Sequence, residues 1–75
     1  MSVAAQQPPK VLNVELDREG DGRWIADVPE LPGVLVYGDT REDALAKVQA
    51  LALRVLADLI EQNRVVQTEV RFVVP

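Results

Sequence analysis

Neither cysteine nor histidine occurs in the 75 residues. Without cysteine there is no disulfide framework, no thiolate nucleophile and no thiolate metal site. Without histidine the commonest general base near neutral pH and the commonest metal ligand are both missing. Aromatic residues are scarce: one Trp, one Tyr and one Phe. Positive charge is also short, with eight Lys and Arg against twelve Asp and Glu, a formal net charge of -4. Phosphate backbones are gripped by Lys and Arg, so direct nucleic-acid binding is not expected, and a basic protein partner suits the charge better. No apolar run approaches the roughly 20 residues of a membrane span. The N-terminus lacks the basic-then-apolar pattern of a signal peptide. These absences point to a non-catalytic protein of the cytoplasm, without membrane contact and with no metal or cofactor.

The length permits one small domain, which buries only about 60% of the surface its unfolded chain exposes. One helix on one sheet is all the core it supports, which raises the expectation of oligomerisation or of a stabilising partner. Residues 1–9 are small and polar and end in Pro8-Pro9, the composition of a flexible tail. The domain proper then occupies residues 10–75.

From Val11 to Asp17 apolar Leu12, Val14 and Leu16 alternate with Asn13, Glu15 and Asp17, the period-two signal of a half-buried strand. Gly20 and Gly22 both offer positive φ for a hairpin turn. The return strand, Arg23 to Val28, places Trp24, Ala26 and Val28 on the side of Leu12, Val14 and Leu16, so Asp27 joins the outer acids. Pro29 and Pro32 exclude a central strand and make a rigid bend. A short third strand runs from Val34 to Tyr37. Thr40 is an N-cap, with Glu42 and Asp43 in the first turn where the helix dipole favours negative charge. The helix extends from Arg41 to about Gln62, with Asn63 as its stop, and Leu45, Val48, Ala52, Val55, Leu56 and Leu59 form its core stripe. Asp43–Lys47 and Arg54–Asp58 are expected ion pairs at i,i+4 spacing. A last strand, Gln67 to Val74, alternates Val70, Phe72 and Val74 with Glu69, Arg71 and Val73.

The order βββαβ predicts an α+β domain. One helix packs on one face of a four-stranded mixed sheet, with the fourth strand parallel to the first and a spatial order of 3-2-1-4.

The segment from Asp27 to Leu45, DVPELPGVLVYGDTREDAL, resembles the HicB antitoxin family. The resemblance is carried by Trp24, the Pro29-x-Leu31-Pro32-Gly33 bend, Gly38-Asp39-Thr40, and Glu42, Ala44 and Leu45 at the start of the helix. It implies a truncated ribonuclease-H-like fold and a partner, a small basic HicA-type ribonuclease toxin, whose active site is occluded. Family members often carry a C-terminal helix-turn-helix or ribbon-helix-helix. The sequence shows neither after its last strand, so operator binding is not expected. The alternative is a stand-alone oligomeric structural or ligand-binding domain with no toxin partner.

Two sets of residues are candidates for contact. Glu15, Asp17, Glu19, Asp21 and Asp27 gather on the polar sheet face and the hairpin tip. They are a surface for a basic partner, or else solvated strand and turn residues. A two-metal nuclease reading of the same acids is weak, since a one-sided sheet offers no dry cavity to hold them. On the helix, Ala46, Ala50, Leu53, Ala57 and Ile60 make a second apolar stripe away from the core, which suggests homo-dimerisation or a higher oligomer. The last strand, an apolar edge, competes with it as a dimer surface. Trp24 and the Pro-Gly bend have plainer roles in packing and turn formation.

Overall fold

A computed structural model describes residues 8–75 of the chain. The elements are β1 (Val11–Asn13), β2 (Glu15–Arg18), β3 (Trp24–Asp27), β4 (Leu35–Gly38), α1 (Arg41–Asn63) and β5 (Arg71–Val73), an α+β arrangement. Residues 1–7 of the expected tail lie outside the described residues. Its last two belong to the folded body: Pro8 is buried, and the Pro9 carbonyl accepts a hydrogen bond from Gln67 Nε2 at 3.2 Å.

The alternating segment from Val11 to Arg18 forms strand as expected, but it changes partner halfway. β1 pairs in parallel with β5, Leu12 opposite Phe72. β2 pairs antiparallel with β3, Leu16 opposite Ala26, and β3 with β4, Ala26 opposite Val36. The expected continuous four-stranded sheet is therefore a two-stranded and a three-stranded sheet. Val14 is the joint: it belongs to neither ladder, is buried, and donates its N–H to the Val73 carbonyl at 2.9 Å. Alternation is kept through it, so Leu12, Val14 and Leu16 stay on one side.

Only one of the two hairpin glycines takes the expected conformation. Gly22 has φ 93°, whereas Gly20 has no positive φ. Gly22 N–H donates to the Glu19 carbonyl and Glu19 N–H to the Arg23 carbonyl, at 2.9 and 2.7 Å. One turn followed by one positive-φ glycine closes this kind of three-residue loop.

The proline bend is two successive turns. Leu31 N–H reaches the Val28 carbonyl at 3.0 Å and Val34 N–H the Leu31 carbonyl at 3.1 Å. In the second turn Pro32 is followed by Gly33 at φ 85°, the requirement of a type II turn. Between them Leu31 turns inward and is only 2% exposed. A loop residue thus plugs the core, and Leu31→Ala should cost about 2–5 kcal/mol, the range for deleting a buried Leu side chain. Urea unfolding checks this; a loss under about 1 kcal/mol would show that Leu31 is peripheral.

Thr40 caps α1 as expected: its Oγ1 accepts from Asp43 N–H at 3.0 Å, and Asp43 Oδ2 accepts from Asp39 N–H at 3.1 Å. Asp43 also pairs with Lys47 at 3.2 Å. The expected Arg54–Asp58 pair is not formed; both side chains extend into solvent, where such a pair gains little. Arg64 ends the helix in the left-handed conformation, φ 54°.

The core stripe of α1 is centred on Ala44, Val48, Ala52 and Leu56, spaced by four residues. Leu45, Leu51, Val55, Leu59 and Ile60 pack beside it. The helix lies against β4 and β3, covering Leu12, Val14, Ala26, Val28, Leu31 and Val34, all buried. It approaches most closely at Gly38, where a Cβ would stand 2.4 Å from the backbone nitrogen of Ala44.

β5 is shorter than the expected Gln67 to Val74. Gln67 Nε2 is bound to the Pro9 and Glu69 carbonyls, and pairing begins only where Arg71 N–H meets the Lys10 carbonyl at 2.9 Å. Among the described residues no helix is long and apolar enough to cross a membrane.

Candidate functional site, the outer sheet face

Helix α1 covers one face of the antiparallel sheet, and the register fixes what the other face presents. Glu15 lies opposite Asp27, and Asp27 opposite Leu35; in the next outward row Asp17 lies opposite Ile25, and Ile25 opposite Tyr37. The face is thus acidic along β2 and apolar along β4. Leu35 is 48% and Tyr37 41% exposed. Asp27, on the central strand, borders both halves.

Like charges directly opposite each other across an antiparallel pair destabilise it. Glu15 and Asp27 occupy such a position, and among the described residues neither they nor Asp17 are in an ion pair. A sheet tuned only for stability would place a Lys or a Thr at one of these sites. The arrangement presents uncompensated negative charge beside exposed apolar surface.

The remaining expected acids do other work. Asp21 belongs to the hairpin turn: its Oδ1 accepts from Arg23 N–H at 3.0 Å and its Oδ2 from Arg23 Nε at 2.8 Å. These bonds, the backbone one foremost, hold its carboxyl below the usual range. Glu19 is half-buried and closes the same turn through its backbone. Arg23, held by Asp21, lies over the Tyr37 ring at 4.5 Å, which fixes the ring orientation at the rim of the face. Arg18 lies 5.8 Å from the Trp24 ring centre, and Trp24 packs against the core as expected.

Glu30 was outside the expected set, and it ties the bend to β1. Its carboxylate accepts from the backbone N–H of Asn13 at 3.0 Å and from Asn13 Nδ2. Burial pushes the Glu30 carboxyl up, but the two Asn13 bonds with a backbone bond of its own outweigh it, and the net direction is down. In Asp43 the Asp39 N–H and then Lys47 lower the carboxyl. For each of Asp21, Glu30 and Asp43 the folded value lies below the unfolded one. Their stabilisation is complete above the unfolded values and is lost as pH falls through the folded ones. The melting temperature should therefore fall between about pH 5 and about pH 3, and Asn13→Ala should lessen that fall. A melting temperature level across this window would contradict the account.

Residues of the Pro-Gly and helix-start motif are structural here. Pro29, Pro32 and Gly33 form the turns, Leu31 and Ala44 are buried, Asp39 and Thr40 make the cap, and Gly38 admits the helix. On the helix, Ala46, Leu53 and Ala57 are exposed, Leu53 at 48%, and Ala50 is half-buried. Ile60, expected on that outer stripe, packs against the core instead, so the stripe is interrupted at its C-terminal end.

The apolar half of the outer face, Ile25, Leu35 and Tyr37, was missed by sequence reasoning. Its signal was present in Val34-Leu35-Val36-Tyr37, a strand apolar on both faces where a one-sided sheet calls for alternation. Among the described residues no group of three or more acidic, His or Cys side chains is placed to hold a metal ion. No family model matches the chain, and no curated protein and no solved structure does so either.

Proposed function

We propose that the chain is a HicB-like antitoxin, or a binding module derived from one, that sequesters a small basic ribonuclease of the HicA type. The observation that carries this reading is the outer face. Glu15, Asp17 and Asp27 stand there without ion-pair partners beside exposed Leu35 and Tyr37. Uncompensated carboxylates steer a cationic partner to the face and orient it. Leu35, Tyr37 and Ile25 supply the apolar contact that holds it, since aromatic anchors dominate such interfaces. The Trp24, Pro29–Gly33 and Gly38–Thr40 residues, with the βββαβ order, favour the truncated ribonuclease-H-like fold of that family. On this reading the protein is a non-catalytic inhibitor of the cytoplasm, without cofactor and without direct contact to nucleic acid.

The reading requires a short basic protein encoded beside this chain, and it is tested by co-expressing the two; a gene neighbourhood with no such protein would count against the toxin partner. The two proteins should co-purify through size exclusion, and the complex should weaken steeply with added salt. Absence of a complex at micromolar concentration would remove the toxin partner. A second reading, an oligomeric domain with no toxin, is favoured by the exposed Leu53 of the helix and by exposed valines near β5.

A further inference from the structure

We infer that β5 is a self-association edge, on which a second copy of this chain adds antiparallel about a two-fold axis through Val70. β5 pairs with β1 alone among the described residues. Arg71 N–H and the Val73 carbonyl point to β1: the N–H donates to the Lys10 carbonyl and the carbonyl accepts from Val14 N–H. Within β5, which is Arg71–Val73, strand alternation turns the Phe72 peptide groups to the opposite side; Val70 and Val74 flank the strand, and pairing with a second copy would extend it through them and back to residue 66. An antiparallel partner must meet these even-numbered residues, which limits the registers to those that pair even with even.

Centring on Val70 satisfies that limit. Val70 meets Val70 of the second copy, Phe72 meets Thr68, and Val74 meets Val66. The register also places Glu69 opposite Arg71 of the second copy, and Arg71 opposite its Glu69, two symmetry-related ion pairs on the outer side. Shifting the axis to Phe72 keeps the hydrogen bonds but sets Arg71 against Val73 and Glu69 against Pro75, so the charges lose their partners. Charge complementarity selects the Val70 axis. The same pairing covers the exposed valines of this segment, Val66, Val70 and Val74, the first of them 88% exposed. An open apolar edge is otherwise a hazard to a soluble chain.

The test uses sedimentation velocity on the full chain and three charge variants. Glu69 and Arg71 are both exposed, so the variants should keep the fold, which circular dichroism verifies. The natural sequence should dimerise at micromolar concentration. Glu69→Arg and Arg71→Glu should each weaken the dimer about tenfold, as both symmetry-related pairs turn from attraction to repulsion. The double variant E69R/R71E restores opposite charges and should return to near the original dissociation constant. A monomeric natural chain, or a double variant no tighter than the single ones, would overturn the inference. So would a dimer abolished by Leu53→Glu and untouched by the charge variants, which would move the interface to the helix.

Discussion

Gly38→Ala should strongly destabilise the domain, although the same substitution at an exposed strand glycine ordinarily stabilises. The added methyl would lie 2.4 Å from the Ala44 nitrogen, 2.7 Å from its Cα and 3.0 Å from its Cβ. The nearest atoms are backbone in the first turn of α1, which cannot step aside. Thr40 Oγ1 and the Asp43 carboxylate fix that turn to the strand end through Asp43 and Asp39 N–H groups. Overpacking of this kind costs about 1–3 kcal/mol when the surroundings can relax, and the pinned turn places this site at the upper end. A loss of about 3 kcal/mol lowers the melting temperature of so small a domain by about 12–24 °C. Gly20→Ala is the control. Its Cβ would meet nothing within 4 Å and its φ is not positive, so it should be neutral or gain up to about 1 kcal/mol from a stiffer unfolded chain. The contact is with backbone, so removing the Ala44 methyl cannot relieve it, and Gly38→Ala combined with Ala44→Gly should stay destabilised. Recovery in that double variant would show that side-chain crowding alone makes Gly38 necessary.

The Gly38 result bears on why part of this fold is readable in the sequence. Gly38-Asp39-Thr40 announces a helix start, and the structure gives each residue its own role: close approach, hydrogen bond to Asp43, and cap. The hairpin faces are equally legible, because period-two alternation fixes which side of a strand is apolar. Alternation does not say which neighbour a strand pairs with. Val11 to Asp17 reads as one strand, yet its halves pair with β5 and β3, an exchange that the two ladders and the backbone bond from Val14 to Val73 reveal. Four-residue spacing in the helix is also ambiguous at its margins. Ile60 falls on the outer stripe by angle alone, but its long side chain reaches back to the core.

The candidate site was half visible for the same reason. Glu15, Asp17 and Asp27 follow from the alternation, whereas their grouping with Leu35 and Tyr37 depends on the β3–β4 register, Asp27 opposite Leu35 and Ile25 opposite Tyr37. Composition shows an excess of acids. It does not show that Asp21 is engaged by Arg23 and that Glu30 is engaged by Asn13. Tertiary contacts separate acids that hold the fold together from acids that the ion pairs and hydrogen bonds of the described residues leave unengaged.

Charge reversal on the outer face should weaken capture of a basic partner strongly. Glu15→Lys combined with Asp27→Lys replaces two carboxylates that have no ion-pair partner with ammonium groups, at one exposed and one half-buried strand position. If the face captures a basic protein, each reversed charge sets like against like across the interface, and close charge pairs there are worth about 1.5 kcal/mol or more. Titration calorimetry with the co-purified basic partner should show affinity falling by at least about a hundredfold. Leu53→Glu on the far side of the molecule should leave it unchanged. An affinity unaltered by the double charge reversal, with the fold intact by circular dichroism, would contradict the assignment of the outer sheet face as the partner-binding surface.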